Sequence, residues 1–217
     1  MQKLTVHKLG IIDYKKALDL QLSLVDKRKH GEIGDTILLL EHPPTFTIGR
    51  KGDIENLLID SEKLTRKGIH LERISRGGDI TFHGPGQLVG YPIIDLTNFE
   101  RNVHRYLRNL EVVIILTLND FGIRGERIQE LTGVWVDGEK IASIGVGIRK
   151  WITYHGFALN VNTDLSYFDH IVACGIPNVK VTSMVKTLGT EKRTKMTEVE
   201  NSIVKAFTTV FERTNNV

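Results

Sequence analysis

Cysteine, long apolar runs and a strong charge imbalance are scarce or missing in this sequence. Its 217 residues include one cysteine, so no disulfide can form within the chain. The longest apolar run, residues 112–118, is far shorter than the roughly 18 residues that a membrane span needs. The N-terminal residues carry scattered charges and no apolar core, unlike a secretory signal. These absences predict a soluble cytoplasmic protein.

The composition is that of an ordinary globular domain. Apolar residues make up 41% of the chain and charged residues 25%. The formal net charge of +3 suits an acidic partner protein but falls short of a nucleic-acid-binding surface. A chain of this length can bury one sizeable core. Because no repeat or low-complexity linker interrupts it, we predict one catalytic domain over residues 1–217.

Three segments have the apolar periodicity of helices. The first follows Asp13, which can cap a helix. Its predicted apolar face is Tyr14, Leu18, Leu22 and Val25. The second spans residues 103–121, and the third begins with a capping box made by Thr197 and Glu200. The third helix is predicted to bury Val199, Ile203, Phe207 and Val210.

Strand-like segments outnumber the helices. They are residues 3–9, 36–41, 70–74, 87–96 and a long block at 134–161. Within that block, Asp137-Gly138 is a strong signal for a two-residue hairpin. The order shows no regular alternation of strand and helix, so we predict an α+β fold in which helices cover one face of a mixed sheet.

The glycine-rich stretch RGGDITFHGPGQ at residues 76–87 keeps Arg76, His83 and Gln87 beside its glycines. A surface loop that uses glycine only for its backbone freedom would explain such a stretch. The three polar side chains favour a binding role instead, with a ligand lying against bare backbone. The stretch does not match the phosphate-binding motifs, and an extended apolar group such as an acyl chain fits it equally well.

Two further residues are candidates for chemistry. Cys174 is followed by Gly175 and Pro177, so it lies in a turn outside any periodic apolar run. A lone cysteine is usually a small buried apolar residue, but a cysteine on a loop is also a candidate nucleophile. Lys140 follows the predicted hairpin turn, where a lysine is normally exposed, and continues into the small-residue strand IASIG. A lysine desolvated against that strand can stabilise a thiolate or transfer a proton.

Long stretches of the chain resemble the lipoyl(octanoyl) transferase family. RGGDITFHGPGQLVGYPIIDL at 76–96 is similar to the family signature almost residue for residue. The chain also has HPPTFTIGR at 42–50, GVWV and EKIASIGV within 133–146, HGFALNV at 155–161 and CGIP at 174–177. The resemblance implies an acyltransferase that acts in lipoate biosynthesis and protein lipoylation. It also implies the catalytic-domain fold of biotin and lipoate protein ligases, which resembles class II aminoacyl-tRNA synthetase cores.

The resemblance also implies roles for individual residues and partners. Cys174 is the nucleophile that carries the octanoyl group as a thioester, and Lys140 is its catalytic partner. The donor is octanoyl-acyl carrier protein, and the acceptors are lysines in lipoyl domains of 2-oxoacid dehydrogenases and in glycine cleavage H protein. No metal, cofactor, nucleic acid or membrane is implied. The implied substrate-binding residues are Arg76, Gly77, Gly78, Asp79, Ile80, Thr81, Phe82, His83, Ser143, Ile144, Gly145, Gly156, Phe157 and Ala158.

The chain departs from the family pattern at Ala173, where proline is common, and at Phe82, in an aromatic or histidine position. One alternative is an ATP-dependent lipoate or biotin ligase of the same fold. The chain lacks the basic glycine-rich loop typical of such ligases, and it has the cysteine. A non-catalytic acyl-binding module is a second alternative, against which Cys174 and Lys140 both argue.

Overall fold

The computed structural model describes residues 4–99, 101–189 and 193–213, in which two β-sheets and five α-helices are seen. The strands are β1 Thr5–Ile11, β2 Thr36–Glu41, β3 Thr45–Ile48, β4 His70–Arg73, β5 Ile80–His83, β6 Gln87–Ile93, β7 Val134–Val136, β8 Glu139–Arg149 and β9 Ile152–Asn160. The helices are α1 Tyr14–Lys29, α2 Ser61–Arg66, α3 Val103–Asp120, α4 Met184–Leu188 and α5 Met196–Arg213. No helix within these residues is both long and apolar enough to cross a membrane.

The large sheet has six strands in the order β1-β2-β6-β9-β8-β7, and the small sheet has three in the order β4-β3-β5. The pairs β1/β2 and β3/β4 are parallel and the other pairs are antiparallel. Both sheets are therefore mixed, and the predicted α+β class is confirmed.

The prediction that helices cover only one face of the sheet is wrong. Strand β2 is buried on both sides: Leu38 and Leu40 pack with Ala17 of α1, whereas Ile37 and Leu39 pack in the cluster that contains α3 and α5. Alternate residues of a strand point to opposite faces, so α1 and the α3/α5 pair lie on opposite faces. The unbroken apolar run TILLLE is typical of a strand that is buried on both faces.

Helix α1 begins where predicted, because the Asp13 carboxylate accepts a hydrogen bond from the backbone of Lys16 at 3.1 Å. Its buried face is Tyr14, Ala17, Gln21 and Val25. The predicted Leu18 and Leu22 are only half-buried. Gln21 can lie inside because its amide nitrogen donates to Ala17 O and its oxygen accepts from His155 N. The buried face of α1 thus contains a polar residue whose hydrogen bonds are satisfied, where the apolar periodicity predicted leucines.

The other two predicted helices are confirmed, with one correction. Helix α5 buries Val199, Ile203 and Phe207 as predicted, while Val210 is half-buried. It begins at Met196, one residue before Thr197, so Thr197 lies inside the first turn. The predicted capping box is therefore wrong in position.

Residues 134–161 form β7, β8 and β9 rather than one block. Asp137 and Gly138 have φ of 49° and 77°, which confirms the predicted two-residue hairpin between β7 and β8. Lys150 and Trp151 make the second turn with φ of 51° and 68°. Neither residue type favours the left-handed region, so sequence gave no signal for this turn.

Candidate active site

A cavity of about 510 Å³ lies on the face of the large sheet that α1 and the small sheet cover. Cys174 reaches it from the loop after β9, and Lys140 reaches it from the start of β8. A cavity of this size lies within the usual range of small-molecule sites, roughly 300–1,000 Å³. The predicted nucleophile and its predicted partner are therefore neighbours across a concave site.

The contact between Lys140 and Cys174 is direct. Lys140 Nζ donates to Cys174 Sγ at 3.2 Å, and Ser143 Oγ lies 3.6 Å from the same sulfur. Lys140 is 4% exposed, and its ammonium lies 5.1 Å from the centre of the Trp135 ring. In the part of the chain that the structure describes, no carboxylate pairs with this ammonium. Among the described residues, the sulfur is thus the closest acceptor for this ammonium.

Most of the predicted substrate-binding residues line the cavity. Those that do are Arg76, Gly77, Gly78, Asp79, Thr81, His83, Ser143, Ile144, Gly145, Gly156, Phe157 and Ala158. Ile80 and Phe82 belong instead to the apolar cluster behind the small sheet, where Phe82 stacks on Tyr167. Residues of β5 alternate between faces, so Thr81 and His83 face the cavity and the other two face away from it.

The bare backbone at Gly77 is covered by protein. Gly77 N donates to Val146 O at 3.0 Å, and a Cβ on Gly145 would lie 2.8 Å from Gly77 O. Two backbone segments therefore pack against each other where both residues lack a side chain. Gly77 is already engaged as a donor, whereas Gly78 N has no hydrogen-bond acceptor among the described residues. Gly78 is thus the member of the pair that remains free to bond a substrate oxygen.

Arg76 brings a second cation to the cavity wall. It is 7% exposed, and its guanidinium donates to Thr47 O at 2.6 Å, to Thr47 Oγ1 and to Gly77 O. All these acceptors are neutral, and no carboxylate forms an ion pair with Arg76 among residues 4–99, 101–189 and 193–213. Burial lowers the pKa of Arg76, and a negative charge on Cys174 opposes that shift. Two cations without a carboxylate partner make this cavity favourable for an anion.

His83 is locked as a neutral side chain. Its Nδ1 lies 2.9 Å from Gln87 Oε1, which can only accept, so Nδ1 carries the proton. Its Nε2 lies 3.3 Å from Thr47 Oγ1. Burial holds the pKa of His83 well below its usual range, and nearby His42 and Arg76 lower it further. His83 is therefore a fixed wall of the cavity rather than an acid or base.

Sequence reasoning missed the closed inner end of the cavity. Tyr14, Tyr91 and His155 line it, and none is more than 3% exposed. His155 has φ of 54° inside β9, which places its ring beside the Tyr14 hydroxyl. These residues are distant along the chain and lie outside the glycine-rich motif. The signals in the sequence were HGFALNV, in which His155 precedes a predicted binding residue, and the signature at 76–96, which contains Tyr91.

The sequence analysis also missed an ion cluster centred on Glu111, which bonds the backbone segment beside the Lys140 side chain. Glu111 of α3 is fully buried, and its carboxylate accepts from Arg108 and Arg127 at 2.8 Å. The same carboxylate accepts from Gly133 N at 3.2 Å. A Cβ on Gly133 would lie 2.9 Å from Lys140 Cε, so the Lys140 side chain passes directly over this glycine. The ion cluster fixes the segment along which Lys140 extends.

The buried histidines make the stability of the fold sensitive to acid. Burial lowers the pKa of His42 to about 4 and that of His155 to about 3. Below pH 6.5 the unfolded chain binds protons that the native state excludes. The contribution of the neutral, buried histidines to the stability of the fold is complete above that pH, and it is lost on acidification towards their native pKa values. We expect each histidine to cost about 1.4 kcal/mol of unfolding free energy per pH unit below about pH 6.

Urea unfolding of the parent between pH 7 and 4.5 measures the slope of the unfolding free energy against pH. His42→Gln should flatten it, whereas His70→Gln, at an exposed position, should not. An equal slope in the His42→Gln variant and the parent would contradict the assignment.

Comparisons of the sequence with known proteins found close relatives. A family model described as the lipoyl protein ligase A/B catalytic domain matches residues 13–208. The octanoyltransferase of Solibacter usitatus is 50% identical over 212 residues, which cover 98% of this chain and 94% of that protein. The octanoyltransferase of Rubrobacter xylanophilus is 52% identical over 200 residues, which cover 91% of this chain and 89% of that protein.

Comparison of the structure with solved structures found proteins of the same fold. A bipartite lipoate protein ligase of Thermoplasma acidophilum has a TM-score of 0.74 at 17% identity, over 98% of this chain and 85% of that one. A biotin protein ligase of Aquifex aeolicus has a TM-score of 0.57 at 13% identity, over 100% of this chain and 72% of that one. At these identities the likeness shows the fold alone, and it confirms the predicted fold, that of the catalytic domains of the two ligase classes.

Proposed function

The chain belongs to the lipoyl protein ligase A/B catalytic domain family, and from that membership we propose that it carries an octanoyl group on Cys174, from an acyl carrier protein to a lysine of a lipoyl domain. Its relatives confirm the predicted enzyme class, an acyltransferase of the octanoyltransferase type. The donor and the thioester intermediate are the proposed parts. The observation that carries them is the 3.2 Å contact between Lys140 Nζ and Cys174 Sγ inside the cavity.

In the first half-reaction the Cys174 thiolate attacks the carbonyl carbon of the donor thioester. Lys140 and Ser143 stabilise the thiolate before attack, by charge and by a hydroxyl donor. The developing oxyanion takes a hydrogen bond from a backbone donor such as Gly78 N, within the field of Arg76. The carbon–sulfur bond to the carrier breaks, and the Lys140 ammonium protonates the departing thiolate. One thioester replaces another, so the reaction needs no ATP.

In the second half-reaction the neutral amine of the acceptor lysine attacks the octanoyl-Cys174 thioester. The attacking nitrogen must lose a proton, and Lys140, left neutral by the first step, is placed to take it. The carbon–sulfur bond to Cys174 breaks and the amide forms. The enzyme returns to a thiolate beside an ammonium, so protons and charges balance over the cycle.

Membership of a lipoylation family implies lipoyl-domain acceptors. Docking of an acidic donor or acceptor is supported by charges at the cavity mouth. Arg50 and Lys51 line the mouth and are exposed. Lys51 N also donates to Gly78 O at 3.3 Å, which ties this basic pair to the substrate stretch. Exposed charges of this kind act mainly on the rate of association.

The test is the intact mass of the purified chain after mixing with octanoyl-acyl carrier protein without ATP. We expect one octanoyl adduct, which disappears when a lipoyl domain is added and reappears on that domain. Transfer that occurs only with ATP and free octanoate would overturn the proposal in favour of a ligase. Binding of the carrier with neither adduct nor transfer would favour a non-catalytic module.

A further inference from the structure

The turn that carries the proposed nucleophile has an unfavourable backbone conformation. Cys174 has φ of 60° and ψ of 16°, and Gly175 follows with φ of 67°. The left-handed region is open to glycine but costs energy in a residue with a Cβ. Such a conformation persists only where the surroundings impose it. The contacts around this turn must therefore hold Cys174 in place.

The carboxylate of Asp79 lies against the turn. A Cβ on Gly175 would overlap Asp79 Oδ2, so the carboxylate occupies the space beside the bare glycine. Asp79 is itself held, because its Oδ1 accepts from Ile80 N at 2.6 Å. It is half-buried at the cavity wall, where Arg76 and Lys140 are the cations that also face Cys174.

Asn56 joins this carboxylate to the other end of the cysteine loop. Asn56 Nδ2 donates to Asp79 Oδ2 at 2.8 Å. The backbone carbonyl of Asn56 accepts from Val172 N at 2.8 Å, two residues before the cysteine. Leu58 N donates to His170 O at 2.8 Å, which extends the same pairing. Asn56 thus bonds the loop before Cys174 through its backbone carbonyl. Through its side chain it bonds Asp79, which packs beside Gly175 after the cysteine.

We propose that Asp79, anchored by Asn56, is a positioning residue that holds Cys174 in its left-handed turn with the sulfur facing Lys140. The inference rests on the proposed role of Cys174 as nucleophile. It adds a function to Asp79 beyond contact with substrate, and it assigns one to Asn56, which lies outside the glycine-rich motif. Asp79 also places a negative charge near the thiolate, which Lys140 and Arg76 outweigh.

Polarity reversal at this pair provides the test. Asn56→Asp sets two carboxylates against each other and should push Asp79 off the turn. Adding Asp79→Asn restores a hydrogen bond with donor and acceptor exchanged, at the same total charge. We expect Asn56→Asp to lower kcat about 10- to 100-fold with little change in KM, because a displacement of about 1 Å in a reacting group costs this much. The double variant should recover most of the loss.

A second readout needs no acyl substrate. Alkylation of Cys174 by iodoacetamide is followed against pH, since only the thiolate reacts. In Asn56→Asp the midpoint should move to higher pH, because the sulfur separates from Lys140, and the double variant should bring it back. Asp79→Ala removes the carboxylate and its negative charge, whereas Asn56→Asp adds a negative charge. The kcat of Asp79→Ala should also fall.

Circular dichroism and the urea midpoint establish that each variant is folded. If Asn56→Asp does not fold, Asp79→Ala and the double variant carry the test. Folded variants with the kcat and alkylation profile of the parent would overturn the proposal, as would a folded double variant no better than Asn56→Asp. A parent that alkylates normally but takes no octanoyl group would instead count against the proposed function.

Discussion

Cys174→Ser is expected to abolish octanoyl transfer while leaving the fold intact. A serine hydroxyl is a far weaker nucleophile than a thiolate at neutral pH, and Lys140, which enters the proposed cycle as an ammonium, would first have to lose its proton before it could act as a base for that hydroxyl. Loss of a covalent nucleophile in other enzymes costs on the order of 10⁴-fold or more in kcat. The cavity, Arg76 and the backbone donors remain, so binding of the donor should change little.

Intact mass gives a clear answer, because Cys174 is the only cysteine in the chain. The parent should carry a single octanoyl group that hydroxylamine removes, and the serine variant should carry none. Thiol titration provides the internal control: it should count one thiol in the parent and none in the variant. An adduct of unchanged yield on Cys174→Ser would place the acyl group on another residue and refute the proposed intermediate.

The sequence predicted those parts of the fold that local patterns determine. Asp13 as a helix cap and Asp137-Gly138 as a hairpin were correct, because a side-chain acceptor and a left-handed turn are local requirements. Strands β3 and β5 were missed. The residues of β5, ITFH, lie within a stretch whose glycines indicate a loop, and only pairing with β3 makes them a strand. Pairing between distant segments is invisible to a local pattern.

The same distinction between local patterns and long-range contacts applies to the candidate site. The sequence supplied Cys174 and Lys140 as separate candidates, and only the resemblance joined them. The fold brings them together because Lys140 is the second residue of β8. Its backbone is hydrogen-bonded there to Lys180 and Thr182, which follow the cysteine loop. Tyr14 and Glu111 were missed because each looks like an ordinary helix residue. Their roles depend on partners from other elements, so periodicity assigns them only to a buried face or a surface.

Lys140→Met is expected to lower octanoyl transfer by about 10²- to 10⁴-fold, the usual effect of losing a positioned proton-transfer group. Methionine retains much of the apolar stem that passes Gly133 and Trp135 but has no charge. Among the described residues, the thiolate then keeps only the Ser143 hydroxyl as a direct partner. The pH midpoint of Cys174 alkylation should therefore rise, because removal of a cation at 3.2 Å disfavours the thiolate. An unchanged midpoint would show that Lys140 does not stabilise the thiolate.

Lys140→Arg separates the two roles assigned to this lysine. Arginine keeps the positive charge, so the alkylation midpoint should stay close to that of the parent. A guanidinium does not give up its proton in proteins, so it cannot take the proton from the attacking amine. We therefore expect Lys140→Arg to form octanoyl-Cys174, with the departing carrier thiolate taking its proton from water, but to pass the octanoyl group slowly to the lipoyl domain, so that the acyl-enzyme accumulates in the mass spectrum. Normal transfer by this variant would move the base in the second half-reaction from Lys140 to another group, such as the departing thiolate.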